Sequence, residues 1–344
     1  MAAKTNPGRF FEDYTLGEVI PHAVPRTVSG GERALYHALY PSRFALASSD
    51  EFARASGLAA APMDDLITFH TVFGKTVPDI SLNAVANLGY AEGYFRKPVY
   101  PGDTLRSESE VIGLKQNSNG KSGVVYVRTT GRNQRDEVVM DYVRWVMVRK
   151  GDHDAPAPET VIPDLAKVVA PSDLVIPEGL DFSNYDFTLS GEPHRWGDYE
   201  IGEQIDHVDG VTIEEAEHMM ATRLWQNTAK VHFDATFRPD GQRLIYGGHV
   251  ISMARALSFN GLANAQMIVG LNGGAHANPC FSGDTVKAWT EVLDKAEKVA
   301  PGVGALRLRL VATKGGAPFR LKGEDGKYLA EVLLDLDYWA LVPI

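Results

Sequence analysis

Apolar positions along this chain fall into two kinds of run, and the runs appear twice in the same order. Leu66 to Phe73 is dense in apolar residues, as a buried helix is, and Leu105 to Leu114, Gly123 to Gly131 and Val138 to Val148 alternate or are β-rich, which predicts strands. An Asn119-Gly120 turn joins the first two of these. Upstream, Glu32 to Leu39 predicts a short helix, Leu46 to Ser49 a Ser- and Ala-rich loop, and Val99 to Thr104 a strand, a turn and a strand. The second half predicts helices over Glu214 to Trp225 and Val250 to Gly261, then strands over Val286 to Leu293, Ala305 to Lys314 and Leu329 to Val342. Between the halves, Gly151 to Pro177 carries Pro156, Pro158, Pro163, Pro171 and Pro177, too proline-rich for a packed core element.

Three echoes tie the halves together. Glu12-Asp13-Tyr14-Thr15-Leu16-Gly17-Glu18 returns as Gly197-Asp198-Tyr199-Glu200-Ile201-Gly202-Glu203, and Pro101-Gly102-Asp103-Thr104 as Ser282-Gly283-Asp284-Thr285. Asp141 and Trp145 return as Asp335 and Trp339. The offsets are 185, 181 and 194 residues, which suits two diverged copies of a globular unit of about 150 residues and is too long for a solenoid repeat. The expected organisation is a first domain at 1–150, a proline-rich linker at 151–194 and a second domain at 195–344. In each copy a sheet wraps round one central helix, an α+β architecture.

Composition narrows the setting. With 344 residues, 44% hydrophobic and 23% charged, the chain is long enough for two cores. A net charge of −10 with scattered basic residues argues against a nucleic-acid partner. No stretch approaches the ~18 apolar residues of a membrane span and the start lacks an apolar signal region, so cytoplasmic location is the expectation. The single cysteine, Cys280, sits in an apolar run and reads as a buried structural thiol.

Several motif matches fail on inspection. Gly120-Lys121-Ser122 resembles the end of a phosphate-binding loop, but Lys115 stands at the leading glycine position and a β-rich run follows. Gly302-Val303-Gly304 has Arg307 where a dinucleotide fingerprint needs its third glycine, and no G-x-S-x-G elbow occurs. His232 and Asp234 have no second ligand cluster, so no metal is expected. What remains is Gln226 to His232, read as the loop leaving a helix that a Thr212/Glu215 capping box opens, together with Tyr246-Gly247-Gly248-His249 before a buried helix. Two glycines at a helix start leave N–H groups open at the positive end of the helix dipole, which suits a developing oxyanion. An imidazole nearby moves protons at neutral pH. The alternative is a loop histidine that only satisfies its own hydrogen bonds and glycines that only allow close packing.

These residues resemble the MaoC-like (R)-specific enoyl-CoA hydratases and dehydratases, whose signature runs G-D-x-N-P-[LIV]-H, then a glycine at the start of the central helix, then a P-G-D-T strand turn. His232 falls on the signature histidine, Val231 on the aliphatic position, Gly248 on the helix-start glycine, and 102–104 and 283–285 on the strand turns. The resemblance covers both copies and implies a double hotdog fold. The strings Phe73 to Asn83, Asp209 to His218 and Gln226 to Phe233 are similar to the branch of that family acting on mesaconyl-CoA and β-methylmalyl-CoA. It implies reversible hydration of an enoyl-CoA thioester, β-methylmalyl-CoA against mesaconyl-CoA and water, with an acyl-CoA as the small-molecule partner, no added cofactor, and a homodimer or higher homo-oligomer. The resemblance also implies a setting in acetate or C2 assimilation, the ethylmalonyl-CoA pathway, or a related CO2-fixation cycle.

Two departures bear on the site. The signature aspartate is Asn227 here, and the signature Asn-Pro is Ala229-Lys230. An amide cannot accept a proton as a carboxylate does, so His232 is expected to move the proton while Asn227 holds water and thioester, with Gly248 as oxyanion donor and Gly247 beside it. In the first copy Ser42, Ala47 and Asp64 stand opposite Asn227, His232 and Gly248, so that copy is expected to be scaffold and CoA wall. Arg43, Arg223 and Lys230 are the candidates for the extra carboxylate of the substrate. Two other readings stay open: an acyl-CoA thioesterase using Asp64 or Asp65, and a non-catalytic acyl-CoA-binding protein.

Overall fold

The computed structural model describes residues 4–316 and 319–344. Its strands are β1 (Val19–Thr27), β2 (Ala84–Phe95), β3 (Thr104–Gln116), β4 (Ser122–Arg132), β5 (Val138–Arg149), β6 (Gln204–Thr212), β7 (Met267–His276), β8 (Thr285–Ala300), β9 (Val303–Lys314) and β10 (Val332–Pro343). All lie in one 10-stranded sheet in the order β1-β3-β4-β5-β2-β7-β10-β9-β8-β6. That order is one pattern followed by its mirror: β6, β8, β9, β10 and β7 repeat the places of β1, β3, β4, β5 and β2. The two patterns meet at β2 and β7, where Tyr90 faces Gly274, Gly93 faces Leu271 and Tyr94 faces Gly270.

Each half of the sheet curls round a central helix, Asp65–Thr76 in the first and Gly247–Leu257 in the second. The first helix is buried from Leu66 to Thr76, which is why its sequence lacks a polar stripe. The helices are tied across the molecule by His70, whose Nδ1 lies 3.2 Å from the Tyr246 hydroxyl and whose Nε2 lies 2.7 Å from the Ser252 hydroxyl. Gly74 allows the approach: a Cβ there would sit 1.7 Å from the Trp225 carbonyl oxygen. This is the double hotdog architecture, α+β with an antiparallel sheet.

The three echoes each have a structural cause. Asp13 and Asp198 accept from the backbone N–H three residues earlier, of Phe10 and Arg195, at 2.8 and 2.7 Å. Asp103 and Asp284 do the same for Tyr100 and Phe281 at 2.9 and 2.8 Å, pinning the turns that enter β3 and β8. Trp145 faces Gly89 across β5 and β2, and Trp339 faces Gly270 across β10 and β7. A Cβ at Gly89 would lie 2.4 Å from the Trp145 ring, so the indole occupies the glycine's missing side chain.

Several expectations need correcting. The Ser- and Ala-rich segment after Leu39 is helical, over Ala45–Ser48 and Asp50–Ala55, because Ser49 caps the second turn by accepting from Phe52 N–H at 3.2 Å. Val99 lies in no strand, and β3 begins only at Thr104. Thr212 does not cap the helix Glu215–Leu224: it ends β6, and its hydroxyl pairs with that of Thr285 at 2.7 Å. The second central helix starts at Gly247, three residues before the position expected. Within the proline-rich segment, Val169 and Leu174 are buried against Leu180, Phe182 and Trp339, and Trp339 Nε1 donates to the Val169 carbonyl at 3.0 Å. The segment's regular structure is limited to the 3-10 turn Pro171–Asp173 and a bridge of Val161 to Leu114, but its prolines do not prevent packing. Among the described residues no helix is long and apolar enough to cross a membrane.

Candidate active site

A cavity of about 300 Å³ opens between the halves, lined by Asn87, Tyr90 and Arg144 on β2 and β5 of the first and by Asn227, His232 and Gly247 of the second. His232 lies on the short turn Lys230–Phe233, held against the strand-like approach to the second central helix. Leu244 N–H donates to the Val231 carbonyl at 3.0 Å, and His232 Nδ1 donates to the Leu244 carbonyl at 2.7 Å. Because Nδ1 carries the proton, Nε2 keeps its lone pair, and among the described residues it has no partner. Burial pushes the imidazole below its ordinary value, offset in part by the Leu244 carbonyl. The ring is therefore a neutral base at neutral pH, on the cavity wall.

Asn227 is buried, its amide oxygen accepting from Ala229 N–H at 3.3 Å. That bond leaves the NH2 as the group free to meet a ligand in the cavity. Gly247 begins the second central helix and lines the cavity. The N–H groups of His249 and Val250 are taken by the Tyr246 carbonyl at 2.9 and 3.4 Å, while those of Gly247 and Gly248 have no partner among the described residues. Behind them, His218 Nε2 accepts from Tyr246 N–H at 2.9 Å and fixes the residue that caps the helix. Burial pushes His218 down to about 3, which keeps it a neutral acceptor.

Residues 1–316 match the model of the mesaconyl-CoA hydratase family. The chain belongs to that family. It is 78% identical to a mesaconyl-CoA hydratase of Cereibacter sphaeroides over 99% of both chains, and 58% identical to a β-methylmalyl-CoA dehydratase of Chloroflexus aurantiacus over 100% of this chain and 99% of that one. Among solved structures, a putative MaoC domain dehydratase from Chloroflexus aurantiacus superimposes with a TM-score of 0.97 at 58% identity, covering 99% of each chain. A conserved protein of Mycobacterium tuberculosis described as having a double hotdog fold gives 0.77 at 24% identity over 97% of this chain and 98% of that one, a likeness of fold alone.

Within this mesaconyl-CoA hydratase family chain, the residues singled out from the sequence divide into two groups. Asn227, His232 and Gly247 share the cavity wall; Gly248 stands one residue behind it, where a Cβ would meet the Tyr246 ring at 2.3 Å. Arg43, Arg223 and Lys230 are exposed and line no part of the cavity, and the Arg43 guanidinium lies 4.3 Å over the Phe259 ring. In the first copy, Ser42 donates to Asp64 at 3.2 Å, and Asp64 caps its helix by accepting from Leu66 N–H at 2.9 Å. Asp65 accepts from Ile268 N–H at 2.8 Å, and burial drives its carboxyl up to about 8. Neither carboxyl reaches the cavity. Cys280 does line it, as a thiol that burial pushes up to about 12.

Two wall residues escaped the sequence reading. His276 packs against Gly247, where a Cβ would sit 2.4 Å from its ring, and its Nε2 lies 3.3 Å from the Tyr90 hydroxyl; burial lowers it to about 4. Its counterpart in the first half is Phe95, since Phe95 faces Met140 as His276 faces Leu334. Comparing the copies at that register is the signal that would have found it. The second is Arg144.

One histidine shared by the echoes is structural in both halves. His22 joins Asp79 and Ser109 at 2.8 Å each, the bond pattern of a hydrolase triad, yet it lies off this cavity. Its counterpart His207 bridges the Asn260 carbonyl and the Thr290 hydroxyl, 2.7 Å each, with no carboxylate in the set. The repeated element is a buried imidazole clamping an edge strand, so the triad-like geometry follows from the duplication.

Proposed function

We propose that this chain catalyses the reversible addition of water to mesaconyl-CoA, giving β-methylmalyl-CoA. The observation that carries the reading is a cavity in which His232 Nε2, unpartnered among the described residues, shares the lining with a glycine-started helix terminus. Adding water to an enoyl thioester needs a base for the water proton and donors for the charge that builds on the thioester oxygen. His232 Nε2 takes a proton from water as the oxygen attacks the β-carbon; the alkene electrons move to the α-carbon and on to the thioester oxygen. N–H groups of Gly247 and Gly248 stabilise that oxyanion, and Asn227 Nδ2 holds the water or the thioester in line. The imidazolium then returns the proton to the α-carbon, and dehydration runs the same steps backwards.

Family membership and the 78% identical mesaconyl-CoA hydratase support the substrate assignment. In this reading the protein works in the cytoplasm on an acyl-CoA, as a homodimer or larger homo-oligomer, and the first half serves as wall for the CoA moiety. The test is incubation with mesaconyl-CoA and crotonyl-CoA side by side, products identified by mass and free thiol followed in parallel. The expected result is gain of one water on mesaconyl-CoA without thiol release. Preference for crotonyl-CoA, or thiol release, overturns the assignment.

A further inference from the structure

Arg144 is fully buried on β5, yet no carboxylate pairs with it among the described residues. Its Nη2 donates to the Thr76 hydroxyl at 2.6 Å and, more loosely, to the Ser81 hydroxyl at 3.4 Å, while Nε and Nη1 have no partner among the described residues. The guanidinium carbon lies 4.3 Å over the Phe73 ring, which holds the plane of the fork in place. Buried charge of this kind is retained where something pairs with it, and the residue lines the same cavity as His232 and Asn227. Nearby on β2, Asn87 also lines the cavity and has neither amide atom satisfied.

The fold itself does not ask for a cation there. Arg144 faces Tyr90 across β5 and β2 as Tyr338 faces Leu271 across β10 and β7, so the duplicated copy holds the same register with an uncharged ring. The first half, which lacks a counterpart of His232, thus contributes a group that the second half lacks.

Resting on the hydratase reading above, we propose that Arg144, aided by Asn87, binds the free carboxylate of the acyl group and so selects a dicarboxylic enoyl-CoA over a plain one. In mesaconyl-CoA that carboxylate is borne by the β-carbon that receives water, trans to the thioester across the double bond. The acid then lies at the far end of the acyl group from the thioester and its oxyanion donors, and Arg144 on β5 is the cation that lines the cavity. Nη1, unpartnered among the described residues, meets a carboxylate oxygen as a charge-assisted hydrogen bond.

The experiment compares full-length wild type, Arg144→Gln and Arg144→Lys on mesaconyl-CoA, on its carboxyl methyl ester and on crotonyl-CoA, reading kcat/KM for each. In the wild type, esterification is expected to lower kcat/KM by about 100-fold or more, because it removes the charge that the buried guanidinium pairs with. Arg144→Gln is expected to lose a similar factor on mesaconyl-CoA and much less on the other two, with Arg144→Lys between. Equal losses on all three substrates, or a wild type indifferent to esterification, overturn the proposal, and the ester arm decides even if a variant does not fold. Absence of mesaconyl-CoA hydration in the wild type would instead remove the functional reading on which it rests.

Discussion

The Nδ1 of His232 lies 2.7 Å from the carbonyl oxygen of Leu244, and that one bond decides which nitrogen faces the cavity. A proton fixed on Nδ1 leaves Nε2 basic, and burial lowers the imidazole below its ordinary value. Protonation would remove the lone pair, so kcat/KM should be level above pH ~6.5 and fall only on the acid side of that value. His232→Ala should lower kcat by roughly 10³-fold while leaving the thermal midpoint within a few degrees of wild type. An acid limb centred above neutrality, or near-normal turnover in the variant, would remove His232 from the proton transfer.

Gly247→Ala places a methyl where the His276 ring now packs and beside the open N–H groups of the helix start. The expected result is a fall in kcat of about 100-fold, the usual cost of disturbing one oxyanion donor. Steady-state kinetics with a circular-dichroism check on folding would read it. Wild-type kcat in a folded variant would mean that the helix start plays no part in the chemistry.

Acid should weaken the fold through its histidines. Burial holds His70 and His218 near 3 and His207 and His276 near 4, all below the unfolded value of 6.5. Below pH 6.5 the unfolded chain takes up protons that the folded chain refuses, so this contribution is whole above 6.5 and drains away down to about 4 for His207 and His276 and about 3 for His70 and His218. On the order of 1 kcal/mol per buried histidine should be lost between pH 6.5 and 5. Urea midpoints across that range would measure it, and His207→Gln should flatten the slope. A midpoint that does not move between pH 6.5 and 5 would contradict the account.

Asp65 works in the opposite sense. Its carboxyl is raised to about 8 by burial, so from the unfolded value near 3.8 up to about 8 each rise in pH costs stability, as the unfolded chain ionises first. Asp65→Asn keeps an oxygen for the Ile268 N–H and removes the ionisation. The variant should be more stable than wild type at pH 8, by about 1–2 kcal/mol, with the difference shrinking toward pH 4. Equal stability at both pH values would show that the group is already free to ionise.

The duplication, the two central helices and most strands were legible because their apolar runs are continuous. The strands β2 and β7 were not, for a physical reason: Gly89, Gly93, Gly270, Gly273 and Gly274 dilute the apolar pattern where the two half-sheets and the indoles of Trp145 and Trp339 crowd in. The edge strands β1 and β6 were missed because exposed positions dominate them and a bulge interrupts each register, at His22/Arg26 and Asp206/Gly210. Asn227, His232 and Gly247 were legible because they lie close together along the chain beside one helix. Arg144 and His276 come from distant strands, and only the closing of the sheet brings them to the same cavity. Proximity to the motif favoured Arg223 and Lys230, and proximity to its first-copy counterpart at 38–47 favoured Arg43, whereas the guanidinium in the cavity is 88 positions from His232.

The pairing of β2 with β7 has a consequence for how this protein responds to dilution. In two separate chains, that seam would be an association equilibrium, and a cavity walled from both sides would come apart at low concentration. Here the intervening segment keeps the partner strand at an effective concentration in the millimolar range or above. The two walls therefore stay assembled however few copies of the chain are present.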